Sequence, residues 1–96
     1  MDEIGKNAMI TRLYDFLATL DDADQIEAVL SDLCTEQEVQ HMAQRLECAQ
    51  LLMEGKTYEE VIAQTEISSA TLSRVSRCIR HGTGYSRLYK DYLADL

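Results

Sequence analysis

Proline is absent from this chain, glycine occurs four times and phenylalanine once. Without proline, no helix is broken by a fixed φ and a missing N–H. With so few glycines there is no glycine-rich loop to cradle a phosphate. No apolar run is long enough for a transmembrane helix. The N-terminus lacks a basic region followed by an apolar core, so no signal peptide is expected. Cysteines are few and odd in number: Cys34, Cys48 and Cys78. They are too widely spaced for a disulfide frame and read as reduced, cytoplasmic thiols. No close Cys/His pair with His41 or His81 anchors zinc, so no metal is expected. Nothing resembles a nucleophile with its base, so neither catalytic residues nor an enzyme is expected.

What is present is apolar side chain and acid. Hydrophobic residues make up 46% of the 96 positions, which suits one all-α domain that shares its core with a second copy. The net charge is −8. Residues 1–66 carry fifteen acidic and four basic side chains, whereas residues 67–96 carry five basic and two acidic ones. Binding to phosphate needs a local cationic surface, not a basic total. The acidic remainder also admits a different reading, a protein-interaction or dimerisation module.

The segment Thr57–Ile79 predicts two short helices and a tight turn, a helix-turn-helix. Thr57 with Glu60 makes a capping box for the first helix. Val61 and Ile62 give it an apolar side, Ile67 fills the gap after the turn, and Ser68 caps the second helix. On that second helix Leu72, Val75 and Ile79 share one side. Ser69, Ala70, Ser73, Arg74, Arg77 and Arg80 share the other. Small groups at the start and arginines further along suit a major groove. The ordinary alternative is the polar face of any amphipathic helix.

Elsewhere the pattern is helical throughout. Asp2–Leu20 carries a broad apolar arc of Met9, Ile10, Leu13, Tyr14, Phe16, Leu17 and Leu20, wide enough for several neighbours or a dimer interface. Asp21–Asp24 reads as a turn that starts a helix to about Leu33, not as a metal site. Thr35 and Glu38 form a second capping box, opening a long helix to about Glu54. Its main apolar face is read as Val39, Met42, Ala43, Leu46, Ala49 and Met53, with Cys48, Leu51 and Leu52 further round. Gly55 ends it in a left-handed conformation. Arg45, at the flank of that face, either pairs with Glu38 or Glu59 or lines a small pocket. Gly82 and Gly84 mark a break before a final helix bearing Tyr85, Leu88, Tyr89, Tyr92, Leu93 and Leu96. The boundaries expected are dimerisation helices 1–56, helix-turn-helix 57–80 and a C-terminal helix 84–96.

The order and spacing of these motifs resemble the tryptophan repressor family, nearest its YerC/YecD branch. The strings that carry the resemblance are Thr35-Glu36-Gln37-Glu38, Arg45, Leu52-Met53-Glu54-Gly55 and Ser69-Ala70-Thr71-Leu72-Ser73-Arg74. It implies six helices per chain, an intertwined homodimer and a pair of projecting heads. It implies a cytoplasmic, sequence-specific transcriptional regulator, a repressor that binds a near-palindromic double-stranded DNA operator through Ser68, Ser69, Ala70, Ser73, Arg74, Arg77 and Arg80. No cofactor is required. A small-molecule corepressor would sit in a candidate pocket of Thr35, Arg45, Arg74 and Cys78, since guanidinium planes stack on aromatic rings. Three departures count against L-tryptophan as that ligand or against a relaxed turn. Val75 stands where the parent family has glycine, Cys78 where it has serine, and Glu66 where a turn glycine is usual.

Overall fold

The structure is a computed structural model that describes residues 2–96. Six α-helices follow in order: α1 Glu3–Leu17, α2 Ala23–Leu33, α3 Glu36–Met53, α4 Tyr58–Thr65, α5 Ser69–His81 and α6 Lys90–Ala94. A π-helical segment, Gly84–Tyr89, leads directly into α6. No strand occurs among the described residues, so the all-α expectation holds. Two compact units are formed, one up to Glu36 and the other Gln37–Leu96.

In the N-terminal unit both helices start from aspartate. The Asp2 carboxylate accepts the Gly5 N–H at 2.6 Å. At α2 the exchange is reciprocal: Asp22 accepts the Gln25 N–H at 2.8 Å, and the Gln25 side chain accepts the Asp21 N–H at 3.0 Å. The acidic run at 21–24 is thus a capped helix start. α1 is shorter than its apolar pattern, ending at Leu17. Its last carbonyls are taken by tighter bonds, with Thr19 N–H on Phe16 and Leu20 N–H on Leu17. Neither α1 nor α2 buries a single side chain. Met9, Ile10, Leu13, Tyr14 and Phe16 all remain exposed.

The second unit holds the core. Cys48, Leu51, Val61, Ile67 and Leu72 cluster there, with Leu52 and Ile62 packed against them. Full burial of a Val, Leu or Ile is worth about 1.5–3 kcal/mol each. This corrects the reading of α3. Of its buried residues, Ala49 belongs to the expected main face and Cys48 and Leu51 to the arc further round, while Ala43 and Leu46 on the main face are exposed. The arc placed further round is the one that meets α4 and α5. A helix with apolar side chains on most of its circumference has two faces that periodicity cannot rank.

The long helix ends at Gly55, whose φ is 94°. Gly55 N–H reaches the Leu52 carbonyl and Lys56 N–H the Leu51 carbonyl, each at 3.0 Å. This pairing satisfies two carbonyls the helix would otherwise leave open, a Schellman ending.

Candidate nucleic-acid interface

The α4–α5 pair is built from its caps. Thr57 Oγ1 accepts the Glu60 N–H at 3.2 Å, and the Glu60 carboxylate meets the same hydroxyl at 3.2 Å. Here Glu60 returns to the threonine side chain. Ser68 Oγ accepts the Thr71 N–H at 3.2 Å and starts α5. The turn between the helices is residues 66–68. Glu66 has φ 62° and ψ 18°, the left-handed conformation, and its N–H closes on the Ile62 carbonyl. For a residue with a Cβ that conformation costs about 1 kcal/mol or more.

On α5 the two arcs separate as the spacing requires. Leu72 and Val75 are buried and Ile79 is half-buried. Ser69, Ala70, Ser73, Arg74, Arg77 and Arg80 are all exposed, as is the capping Ser68. Arg80 Nη1 donates to Ser76 Oγ one turn back at 3.2 Å, which lays its guanidinium along the helix. With no acid on α5, the exposed arc is cationic over its whole second half.

The four residues of the candidate effector pocket are distributed differently. Arg74 and Cys78 line a recess of about 380 Å³ with Arg77, His81 and Gly82. Arg45 is half-buried and lines another, of about 330 Å³, with His41, Gln44, Glu66, Ser68 and Thr71. Thr35 belongs to the N-terminal unit, directly before α3. Val75 is 1% exposed, so its branched side chain occupies the core and neither recess.

Several lining residues give no sign in the sequence of belonging to one site. His41, Gln44, Glu66 and Thr71 belong to three different elements, and only the packing of α3 on the turn brings them together. A third concavity of about 470 Å³ is formed by Leu46, Cys78, Gly82, Gly84, Tyr85 and Tyr89. It adjoins the arginine recess, since both share Cys78 and Gly82. Tyr89 stacks on Tyr92 with ring centroids 6.0 Å apart. Burial, then the Glu47 carboxylate, then Tyr92, raise the Tyr89 phenol above its ordinary value of 10.0. The final helix thus begins as a π turn, with Leu88 N–H bonding five residues back to the Thr83 carbonyl.

The Trp repressor protein family matches residues 8–94, and the chain belongs to that family. Among its relatives, the uncharacterized protein YerC of Bacillus subtilis (strain 168) is 41% identical over 73 residues, covering 76% of this chain and 70% of that protein. Two crystal structures share the fold. A candidate Trp repressor from Staphylococcus aureus superposes with a TM-score of 0.83 at 30% identity, covering 96% of this chain and 95% of that one. A TrpR-like protein from Eubacterium eligens ATCC 27750 gives 0.82 at 32% identity, covering 88% and 89%. No helix among the described residues is long and apolar enough to cross a membrane.

Proposed function

We propose that this protein is a homodimeric, sequence-specific DNA-binding transcriptional regulator that represses by occupying a near-palindromic operator. The single observation that carries the reading is the division of α5. Its apolar side is buried at Leu72 and Val75 and half-buried at Ile79, and its small and cationic side is exposed. Ser69, Ala70 and Ser73 approach base edges, while Arg74, Arg77 and Arg80 reach guanine or phosphate. Ser68 caps the helix at its entry into the groove. Membership of the Trp repressor family supports the same assignment.

The dimer is part of the proposal and rests on α1. Ile4 is 82% exposed, Met9 53%, Phe16 49% and Tyr14 65%. A helix with that much exposed apolar surface needs a cover, and a second copy supplies it. Two heads related by a two-fold axis would read half-sites about 34–36 Å apart. L-tryptophan is a poor fit as effector in this reading. Val75 fills the core beside Arg74, and in one chain Arg45 and Arg74 line separate recesses.

Selection of purified protein on random duplexes tests the proposal. The expected result is an enriched near-palindrome bound at least a thousandfold more tightly than competitor DNA. Recovery of no common sequence, with binding equal to that of bulk DNA, overturns it.

A further inference from the structure

Thr65, the last residue of α4, is joined to more of the structure than its place in the chain predicts. Its carbonyl oxygen accepts from Gln44 Nε2 at 2.9 Å. Its hydroxyl donates to the Val61 carbonyl at 2.7 Å. The same hydroxyl accepts from Cys48 Sγ at 3.4 Å and from the Ile67 N–H at 3.4 Å. A threonine hydroxyl has one donor and two acceptor positions, so all three are in use. Gln44 and Cys48 lie one turn apart on the same side of α3. Cys48 is wholly buried, so its thiol has no water to turn to.

Two attachments to one helix restrain more than one does. The Gln44 amide holds the end of α4 at a carbonyl that a helix terminus leaves without an internal partner. The Cys48 thiol holds it again at the side chain, one turn along α3. The Ile67 bond carries the restraint forward past Glu66 to the buried residue at the entry of α5. Glu66 sits in the left-handed region between them. A residue in that region persists when its neighbours over-determine it, and Thr65 and Ile67 do so from either side.

We propose that Thr65 is a positioning residue, whose hydroxyl, with Gln44 and Cys48, fixes the angle at which α5 is carried on α3. The consequence for DNA rests on the regulator reading above. A single head needs only its own internal geometry to sit on a half-site, but two heads must also arrive at the spacing of one helical turn. Loosening the joint therefore weakens the paired interaction and leaves the single one.

The test compares the wild type with Thr65→Val, which keeps the shape and removes the hydroxyl, and Thr65→Ser, which restores it. Backbone N–H residual dipolar couplings are recorded on the full chain without DNA. In the wild type and Thr65→Ser, α3 and α5 fit one alignment. In Thr65→Val, the α5 couplings shrink while those of α3 hold. With duplexes chosen by the wild type, Thr65→Val loses about tenfold in affinity for the full palindrome and keeps its affinity for an isolated half-site. Unchanged α5 couplings in Thr65→Val overturn the proposal, as does an equal loss on half-site and full site. If Thr65→Val does not fold, Gln44→Met, which removes the side-chain amide that bonds the Thr65 carbonyl, replaces it with the same expectations. Failure of the wild type to select any duplex would sink the regulator reading, while the couplings would still decide the joint.

Discussion

The Gly82 N–H donates to the Cys78 carbonyl oxygen at 2.8 Å, and a methyl group added to Gly82 would stand 2.8 Å from that same oxygen. The glycine is therefore required by space, at the point where α5 ends and the arginine recess meets the tyrosine chamber. The clash is with backbone, which cannot swing aside as a side chain can. Gly82→Ala is expected to cost about 1–3 kcal/mol, the usual range for overpacking. Urea unfolding monitored by circular dichroism would show a lower midpoint with an unchanged slope.

Glu66 is the reverse case. Its φ of 62° is a conformation glycine adopts without penalty. Glu66→Gly is expected to raise stability by about 1 kcal/mol, and Glu66→Val to lower it by at least as much. A thermal melt of both variants decides the matter. A destabilised glycine variant would mean that contacts of the Glu66 side chain outweigh its backbone cost.

The exposed stripe on α1 predicts an oligomer. Wild-type protein should sediment at twice the mass of one chain. Ile10 is 48% exposed and Leu13 38%, and a charge at both positions should leave little to hold the copies together. The double variant Ile10→Asp, Leu13→Asp is expected to sediment as a monomer, or to unfold at a denaturant concentration where the wild type is intact.

Exposed cations on α5 predict salt-dependent DNA binding. Arg77→Ala and Arg80→Ala should each weaken binding to all sequences if they meet phosphate. Each should also reduce the slope of log affinity against log salt by about 0.9. Arg80 is already braced by Ser76, so Ser76→Ala should act in the same direction and more weakly. Fluorescence anisotropy over a salt series measures both. An unchanged slope with relaxed preference at one base pair would instead place the arginine on guanine.

Tyr89 contributes to the alkaline limb of stability. Below pH 10 its phenol is neutral in both the folded and the unfolded chain. Above that, the unfolded chain ionises first, because burial and Glu47 hold the folded phenol above its usual value of 10.0. The unfolded state then binds fewer protons, so stability falls as pH rises through the folded value. Tyr89→Phe removes this contribution, and chemical unfolding of both proteins from pH 9 to 11 should show a shallower decline in the variant.

Much of the local structure could be read from residue spacing. Asp22, Thr57 and Ser68 cap where the pattern places them, and Gly55 ends α3 in the left-handed region. These are contacts between residues three or four apart, and nearby atoms settle them. The alternation on α5 was legible for the same reason. The buried side of α3 was not, because apolar residues cover both of its flanks and only the partner helices choose between them. The π turn at Gly84–Tyr89 is likewise indistinguishable from ordinary helix in sequence, since a bond to Thr83 five residues back leaves no mark in the residue pattern.

Residue order alone thus determined that the chain is helical, where its first five helices begin, and which arc of α5 carries arginine. Tertiary structure decided the rest. It chose the face of α3 that enters the core, set Arg45 and Arg74 on separate walls, and gave Thr65 its partners on another helix. Caps and periodicity arise within a single turn of backbone, whereas these three outcomes depend on helices distant in sequence competing to fill the same space.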